Sequence, residues 1–261
     1  NLDVQAAFQP LLLNDLLPGG AGSLAGTLKL TGARNAPNID ADLSGNGLKW
    51  NDWSAATLNV RGRLPWQGRN GALAVNGTDI NVGTVLDSLQ LDATGSLQHL
   101  QVEGKAHNAM GAIALSGSAQ QRGNNWQGTL DTLRLSVARG TDWTLQQPAR
   151  FAQQGSNWTL SQTCLGAAGG GSLCANANWP GKGVEIQGDA LPLTLLQPWL
   201  PHVDNREMLL RGAIDLDGRV RPAGNRWQGN LDVTSSEGGL RLGTASRREL
   251  ASYKTLVLNI V

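Results

Sequence analysis

The amino-acid sequence predicts a mostly β protein in which a long antiparallel sheet is built strand after strand. Apolar and polar residues alternate along the whole chain, at the period that turns one face of a strand inward. The 34 glycines exceed the usual share of about 7% and are spread among leucines and valines, which suits a chain that reverses often. Turn signals such as Asn46-Gly47 and Asn76-Gly77 recur roughly every 8 to 12 residues, a spacing typical of a meander.

The alternation is clearest in one segment, where Leu58 and Val60 alternate with the polar Asn59 and Arg61. About fifteen strands of this kind fit the sequence. Further apolar positions with the same period are Leu24, Leu28, Leu30, Leu100, Val102, Ile113, Leu115, Leu133, Leu135, Val184, Ile186, Leu210, Ile214, Leu216, Leu231, Val233, Leu256 and Leu258. Long helices are disfavoured, because each interior glycine costs a helix about 1 kcal/mol relative to alanine.

Two short stretches break the alternation and are predicted to be helices. An apolar stripe begins at Phe8 and ends before Pro18. In the second stretch, Pro192 suits a first helical turn, and Pro198 limits the helix to little more than two turns. The predicted organisation is a short apolar helix and cap over 1–20, an antiparallel strand array with a hydrophobic groove over 21–190, a short helix over 191–205, and the start of the next strand array over 206–261.

The charge and the hydropathy of the chain argue against two classes of partner. Lys and Arg total 21 and Asp and Glu total 20, so no field of one sign is available to attract nucleic acid or an anionic membrane surface. No apolar run approaches the roughly 18 to 20 residues that a membrane span needs.

Residue patterns typical of an enzyme are not found in the sequence. His99, His107 and His202 are dispersed and lack the spacing of metal ligands. Asp215 and Asp217 resemble part of a calcium loop, but their alternation with apolar neighbours favours a solvent-facing strand. Since no nucleophile elbow or phosphate loop is present either, we expect no catalytic residue, no metal and no cofactor.

The two cysteines, Cys164 and Cys174, flank a glycine-rich stretch that is typical of a hairpin turn. We favour a disulfide across that turn, which indicates an oxidising compartment such as the bacterial periplasm. Two free, buried thiols in a cytosolic protein are the alternative.

Internal similarity indicates that one structural unit is repeated. Residues 22–32 and 209–218 both have the form apolar-x-Gly-x-apolar-x-apolar-x-Gly. A smaller unit, Trp-Gln-Gly, occurs at 66–68, 126–128 and 227–229. Repeats of one supersecondary unit indicate a body that is extended by addition of further units.

These repeats carry a resemblance to a known family. A short apolar helix, the glycine-spaced segment 22–32 and an alternating strand that follows Pro37 together resemble the repeat unit of the AsmA-like TamB family. A second copy spans 195–233, although its Pro222 lies earlier in the unit than Pro37 does. The resemblance covers essentially the whole chain, without the family's membrane anchor or C-terminal domain, and therefore identifies the chain as a middle periplasmic segment.

The resemblance implies a fold, a location and partners. The sheet is expected to curl lengthwise into an open trough (a β-taco) that carries phospholipids toward the outer membrane by contact with their acyl chains. The translocation and assembly module implies a TamA-like outer-membrane barrel as partner, through parts outside this segment. It also implies the periplasm of a Gram-negative bacterium, with the full-length protein held in the inner membrane by an N-terminal anchor that this segment lacks. The alternative role is a scaffold for the assembly of outer-membrane proteins and autotransporters with a barrel of the TamA/BamA type.

The predicted groove is lined by small and aliphatic residues, and glycine often takes the place of a bulkier side chain. Such a strip is an aggregation hazard in water unless it is covered or filled. Acyl chains would fill it, held by burial at about 25 cal/mol per Å². The predicted lining residues are Leu28, Leu30, Ile39, Leu43, Leu58, Val60, Leu73, Val75, Leu91, Val102, Ile113, Leu115, Leu135, Ile186, Ile214, Leu216, Leu231, Val233 and Leu258.

Two other functions stay open at this point. A structural β-solenoid or adhesin passenger would have a dry, fully packed core and a steady short period of roughly 20 residues. A chaperone-like scaffold would offer an exposed edge strand to incoming strands of outer-membrane proteins.

Overall fold

A computed structural model describes residues 1–15, 17–138, 140–201, 203, 206–224, 226–243 and 249–260, with the backbone alone at 197–199. These residues form 19 β-strands and two short 3₁₀ helices. The strands are β1 (Leu2–Leu12), β2 (Ala21–Ala33), β3 (Ala36–Trp50), β4 (Trp53–Leu64), β5 (Gly71–Asn81), β6 (Val85–Ser96), β7 (His99–Asn108), β8 (Gly111–Arg122), β9 (Asn125–Val137), β10 (Trp143–Leu145), β11 (Ala149–Gln154), β12 (Asn157–Ala167), β13 (Ser172–Trp179), β14 (Gly183–Pro192), β15 (Met208–Ala223), β16 (Arg226–Ser235), β17 (Gly238–Leu242), β18 (Ala251–Tyr253) and β19 (Leu256–Ile260).

The described strands belong to one antiparallel sheet of 19 strands. Most strands pair with the next strand along the chain, as a meander requires. The prediction of a mostly β protein with a long antiparallel sheet is confirmed. Contacts between Cα atoms divide the chain into two compact units, Asn1–Leu133 and Arg134–Val261.

The first unit is a regular meander of long strands. From β2 to β8, each hairpin keeps its register over nearly the full length of both strands, and β3 alone is 15 residues long. The hairpin turns are short, such as Asn51-Asp52 between β3 and β4, where Asn51 has a φ of 51°. Asparagine tolerates this left-handed conformation, which suits the two-residue turns of hairpins.

The second unit contains shorter and more irregular strands. Strand β15 pairs with β16 through its C-terminal part and with β17 through its N-terminal part. Strands β16 and β17 therefore act as one strand interrupted by a bulge. The buried Ser235 stabilises this bulge, because its hydroxyl donates to the Ala213 carbonyl oxygen at 2.6 Å and lies 2.9 Å from the Tyr253 hydroxyl.

The predicted helix over 1–20 is wrong, because the segment forms strand β1 and a single 3₁₀ turn at Leu13–Asp15. Alternate residues of β1 pair with the apolar residues of β2, for example Ala6 with Leu28. The register shifts between Phe8 and Leu11, around Pro10, and a shift of this kind is where a strand accommodates proline. Pairing with a neighbouring strand therefore overrides the helical apolar stripe. Leu16, part of that stripe, lies outside the described residues.

The predicted helix over 191–205 is also wrong as an α-helix. Leu191 and Pro192 complete strand β14, and Leu193–Trp199 forms a 3₁₀ helix. Pro198 has no N–H for an α-helical hydrogen bond, and short apolar segments of this kind often close in the tighter 3₁₀ form. Residues 202, 204 and 205 lie outside the described part of the chain.

The described chain has a small core for its size. Its accessible surface area is 16400 Å², whereas even two separate compact bodies, each of half the 27.5 kDa mass, would expose only about 13,000 Å². The buried apolar residues are Ala41, Leu48, Ala55, Leu64, Ile80, Leu97, Leu100, Trp143, Ala149 and Leu191. Much of the apolar surface of the strands therefore remains accessible.

Candidate functional site

In the first unit, the apolar residues of eight strands lie on the same side of the sheet. Directly paired residues of neighbouring strands point to the same face, so the register shows which side chains line up. Three rows run from β1 to β8 and contain only aliphatic residues, glycine and one phenylalanine. They are Ala6, Leu28, Ala41, Gly62, Leu73, Ala93, Val102 and Gly117; Phe8, Gly26, Leu43, Val60, Val75, Leu91, Gly104 and Leu115; and Leu11, Leu24, Gly45, Leu58, Gly77, Leu89, Ala106 and Ile113. We call this side the apolar face.

The opposite side of the same strands is polar and carries the charges. Arg61 pairs with Asp42 at 3.2 Å between Nε and Oδ1. The hydroxyls of Thr57 and Thr78 lie 2.8 Å apart across β4 and β5. The apolar and polar sides of these strands therefore match the alternation in the sequence. None of the charged residues of these strands lies in the three apolar rows.

The apolar face is only partly covered. The predicted lining residues of the first unit all lie on this face, and each keeps a part of its surface exposed. They are Leu28, Leu30, Ile39, Leu43, Leu58, Val60, Leu73, Val75, Leu91, Val102, Ile113 and Leu115. In the described part of the unit, each strand packs substantially against its neighbours within the sheet. The face is therefore accessible to a ligand.

A recurring bend, Gly-x-x-Leu/Ile, places an aliphatic side chain over a glycine of the apolar rows. In residues 45–48, the third position has a left-handed backbone, and the last side chain folds back over the first glycine. A Cβ on Gly45 would lie 2.6 Å from Cδ1 of Leu48. The same bend occurs at 77–80 in β5 and, in the second unit, at 188–191 in β14. Alternation of apolar residues does not predict this bend. The sequence signal of the bend is a glycine three residues before a buried Leu or Ile.

The second unit has an apolar side of its own, with shorter rows. Ile186, Gly218, Leu231 and Ile260 are paired in one row. Another row contains Leu145, Leu165, Leu173, Gly188, Leu216, Val233 and Leu258. The predicted residues Ile186, Leu216, Leu231, Val233 and Leu258 fall in these rows, Ile214 pairs with the buried Leu191, and Leu135 pairs with the buried Trp143.

The disulfide lies on the polar side of the second unit. Cys164 and Cys174 are directly paired across β12 and β13, and their sulfur atoms are 2.10 Å apart. The next residues in the same row are Gln187 and Asp217. The predicted disulfide across the hairpin is confirmed, and it crosslinks the strands without intruding on the apolar rows.

Polar and charged neighbours on the surface of the second unit lower the pKa values of two carboxyl groups. The pKa of Glu185 is lowered from its ordinary value, chiefly by a hydrogen bond from the Asn176 side chain and then by the charge of Arg219. The pKa of Asp142 is lowered by a hydrogen bond from Arg134. Both carboxyl groups are solvent-exposed ion-pair members, and such pairs stabilise a fold only weakly.

Tryptophans gather at one end of the apolar side of the second unit. Trp158 and Trp179 are directly paired, and the rings of Trp179 and Trp227 stack with centroids 4.8 Å apart. Trp227 remains 70% exposed. A partly wet aromatic cluster of this kind suits a boundary between an apolar surface and water.

The residues considered as metal ligands occupy separate strand positions. His107 Nδ1 lies 3.3 Å from Asp87 Oδ2, and His99 is exposed at the start of β7. Asp215 and Asp217 are exposed on β15, and Asp215 Oδ1 accepts a hydrogen bond from the Ala190 N–H at 2.7 Å. The interpretation of this pair as part of a solvent-facing strand is confirmed. His202 lies outside the described residues.

The sheet and its apolar rows define a class of protein, a single-sheet β protein with an open apolar face. Among the described residues, no helix has the length and apolar character to cross a membrane. No solved structure matches the chain. The family model for the TamB N-terminal domain matches residues 1–260, so the chain belongs to the TamB family. This family of transport and assembly proteins, not enzymes, serves outer-membrane biogenesis in the Gram-negative envelope. The resemblance to TamB is therefore confirmed.

Proposed function

We propose that the apolar face binds the acyl chains of phospholipids and carries them along the sheet toward the outer membrane. The observation that carries this proposal is the three uninterrupted apolar rows of β1 to β8, with half-exposed side chains and a charged opposite face. The sheet is proposed to curl around the chains as an open trough, in the periplasm. A TamA-like barrel and an N-terminal inner-membrane anchor are the proposed partners at its two ends.

Binding to this face needs no specific polar contact. Burial of apolar surface contributes about 25 cal/mol per Å², and its strength depends on area and not on direction. Each row contains residues of the same chemical kind from strand to strand. An acyl chain that moves from one strand to the next therefore exchanges one set of contacts for an equivalent set. A surface of nearly uniform affinity permits movement without a catalytic step.

Site-specific photo-crosslinking in cells tests the proposal. A crosslinker at Leu58 or Val60, on the apolar face, should trap phospholipid, and one at Ile214 should do the same in the second unit. The matched controls are Asn59 and Arg61, which lie one residue away on the polar side. Equal labelling of the two sides would contradict the proposal.

A charged residue introduced into the apolar rows tests the same proposal through the amount of lipid that the protein binds. Leu58→Asp places a carboxylate among apolar neighbours, and we expect lipid recovered with the purified chain to fall at least tenfold. Asn59→Asp adds the same charge on the polar side and should leave the bound lipid unchanged. Ile214→Arg applies the same test to the second unit.

The edge strands favour a second candidate function, a scaffold for outer-membrane protein assembly. In the described part of the chain, β19 pairs with β16, and all five of its residues are exposed. A free strand edge can accept another strand by β-augmentation. Crosslinks from Val257 or Asn259 to nascent outer-membrane proteins, with no lipid trapped at Leu58, would favour the scaffold over lipid carriage.

A further inference from the structure

The turns at the two ends of the strands in the first unit differ in chemistry. The hairpin pairing places the turns at 33–36, 65–70, 97–98 and 122–125 at one end of the strands. We call these turns the basic rim. The turns at 13–20, 50–53, 82–85 and 108–111 lie at the other end, and we call them the apolar rim.

The apolar rim exposes large hydrophobic side chains and carries no cation. Its most exposed members are Leu17, Trp50, Val82, Val85 and Met110, with exposed fractions from 36% to 56%. Its only charged residues are the acidic Asp15 and Asp52. An anionic group would find no cation within these turns, and the nearest cation along β3 is Lys49, directly before Trp50.

The basic rim has the opposite character. It contains Arg34, Arg69 and Arg122 and no acidic residue. All three arginines are exposed, and none forms an ion pair with a described residue. Arginine presents several N–H donors in a planar fork that matches the oxygens of a phosphate.

Two turns of the basic rim, 65–70 and 97–98, and the end of β8 are held together by backbone hydrogen bonds. The Leu97 N–H donates to the Pro65 carbonyl oxygen at 3.0 Å, and the Gln98 N–H donates to the Trp66 carbonyl oxygen at 3.2 Å. The Gln121 N–H donates to the Leu97 carbonyl oxygen at 2.9 Å. These two turns and the end of β8 therefore form a connected row at this end of the strands, close in sequence to Arg69 and Arg122.

We propose that a phospholipid lies across the first unit in one orientation, with its phosphate at the basic rim, against one of the arginines Arg34, Arg69 and Arg122. Its acyl chains then extend over the apolar face toward the apolar rim. This inference rests on the proposed function and adds the side at which the headgroup is held. Charge complementarity selects the basic rim, since its turns carry three cations without an ion pair and no acidic residue, whereas the charged residues within the turns of the apolar rim are acidic.

The dimensions of the face suit this orientation. From Ile39 to Gly45 along β3, before the bend, six residue steps at about 3.3 Å span roughly 20 Å. One leaflet accounts for half of a hydrocarbon core of about 30 Å, so an extended acyl chain needs only about 15 Å. A phospholipid held at the basic rim therefore places its whole tail over the apolar face.

Binding measurements with two soluble lipids test the orientation on the whole chain. The probes are dihexanoyl-phosphatidylglycerol and dihexanoylglycerol, which have the same tails but differ in the phosphate headgroup. The variant R34Q/R69Q/R122Q should bind the phospholipid about tenfold more weakly, which corresponds to about 1.4 kcal/mol, and bind dihexanoylglycerol as well as the unmodified protein does. The control K29Q/K49Q/K105Q removes the same number of charges from exposed positions outside the basic rim and should leave both affinities unchanged.

The possible outcomes separate this inference from the proposed function. If both lipids bind and the arginine variant is unchanged, or loses both equally, the headgroup orientation is overturned while lipid binding stands. An equal loss for the lysine control shows that general surface charge attracts the phospholipid, which also overturns the orientation. If neither lipid binds the unmodified protein, lipid binding itself fails.

Discussion

The two units reach the same kind of sheet by different means. In the first, strands of 10 to 15 residues pair almost without interruption, and the described residues contain no disulfide. In the second, strands as short as three residues alternate with bulges. There a disulfide joins β12 to β13, and Arg211 contacts both Glu237 and Glu249, at 3.2 and 2.8 Å. Long continuous ladders stabilise the first unit, whereas local crosslinks compensate for shorter ladders in the second.

The largest effect is expected at glycines where strands approach closely in both units. A Cβ on Gly62 would lie 2.0 Å from the Ala72 carbonyl oxygen, and the φ of Gly62 is 131°. Gly183 in the second unit has the same clearance of 2.0 Å to the Val220 carbonyl oxygen and a φ of 90°. Either substitution by alanine should lower the free energy of unfolding by about 3 kcal/mol, measured by urea denaturation. Arg61→Ala, an exposed neighbour, is the control. A loss below about 1 kcal/mol at Gly62 would show that the strands of the first unit can shift to accommodate the added Cβ.

Removal of the disulfide should affect the second unit alone. The C164S/C174S variant should lose somewhat less than the roughly 3 kcal/mol expected for a 15-residue loop, because the two cysteines are only 10 residues apart. Hydrogen exchange should show lost protection in β12 and β13 with β4 and β5 unchanged. Reduction of the unmodified protein should reproduce the pattern, and equal loss of protection in both units would refute the local role of this crosslink.

The Gly-x-x-Leu/Ile bends offer a smaller test in the stabilising direction. Ala190 has a left-handed φ of 49°, and the equivalent residue of the first unit is Asp79, with a φ of 48°. Ala190→Gly removes a conformational cost of about 1–2 kcal/mol but adds about 0.5–1 kcal/mol of chain entropy, so stability should rise by about 0.5 kcal/mol. Asp79→Gly should gain less, because aspartate tolerates this conformation better. Thermal unfolding of both variants measures the difference, and a destabilised Ala190→Gly would contradict the assignment of strain.

The smallest effect concerns the surface charges of the second unit. The pKa of Glu185 is lowered chiefly by the Asn176 hydrogen bond and then by Arg219, so Asn176→Ala and Arg219→Gln should each raise this pKa. Because the folded-state pKa is lowered, the stabilising contribution is present above the ordinary pKa of 4.5 and is lost as the pH falls through the lowered value. NMR titration of the Glu185 carboxyl measures both shifts. An unchanged pKa in Asn176→Ala would show that the Asn176 hydrogen bond does not lower it.

Much of the apolar face could be predicted from alternation, because a strand has a side-chain period of two residues. Leu58 and Val60 against Asn59 and Arg61 indicate two faces before any pairing is known. Strand β1 could not be separated from a helix in this way, since Phe8 and the leucines that follow it also fit a helical stripe. Its pairing with β2 is a long-range contact, and local sequence carries little information about such contacts. The bends at Leu48 and Ile80 were missed for a similar reason, because they depend on the space above a glycine.

The β class, the hairpin that carries Cys164 and Cys174, and the separation of apolar from polar side chains along each strand all follow from the order of the amino acids. Those properties are local, and they follow from the strand period and from the conformations that glycine and asparagine accept in turns. The register is visible only in the folded protein. It aligns the apolar residues of β1 to β8 into continuous rows and places basic turns at one end and apolar turns at the other. Register is set by the hydrogen bonds between strands, and a shift of one residue would turn every side chain of a strand to the opposite face.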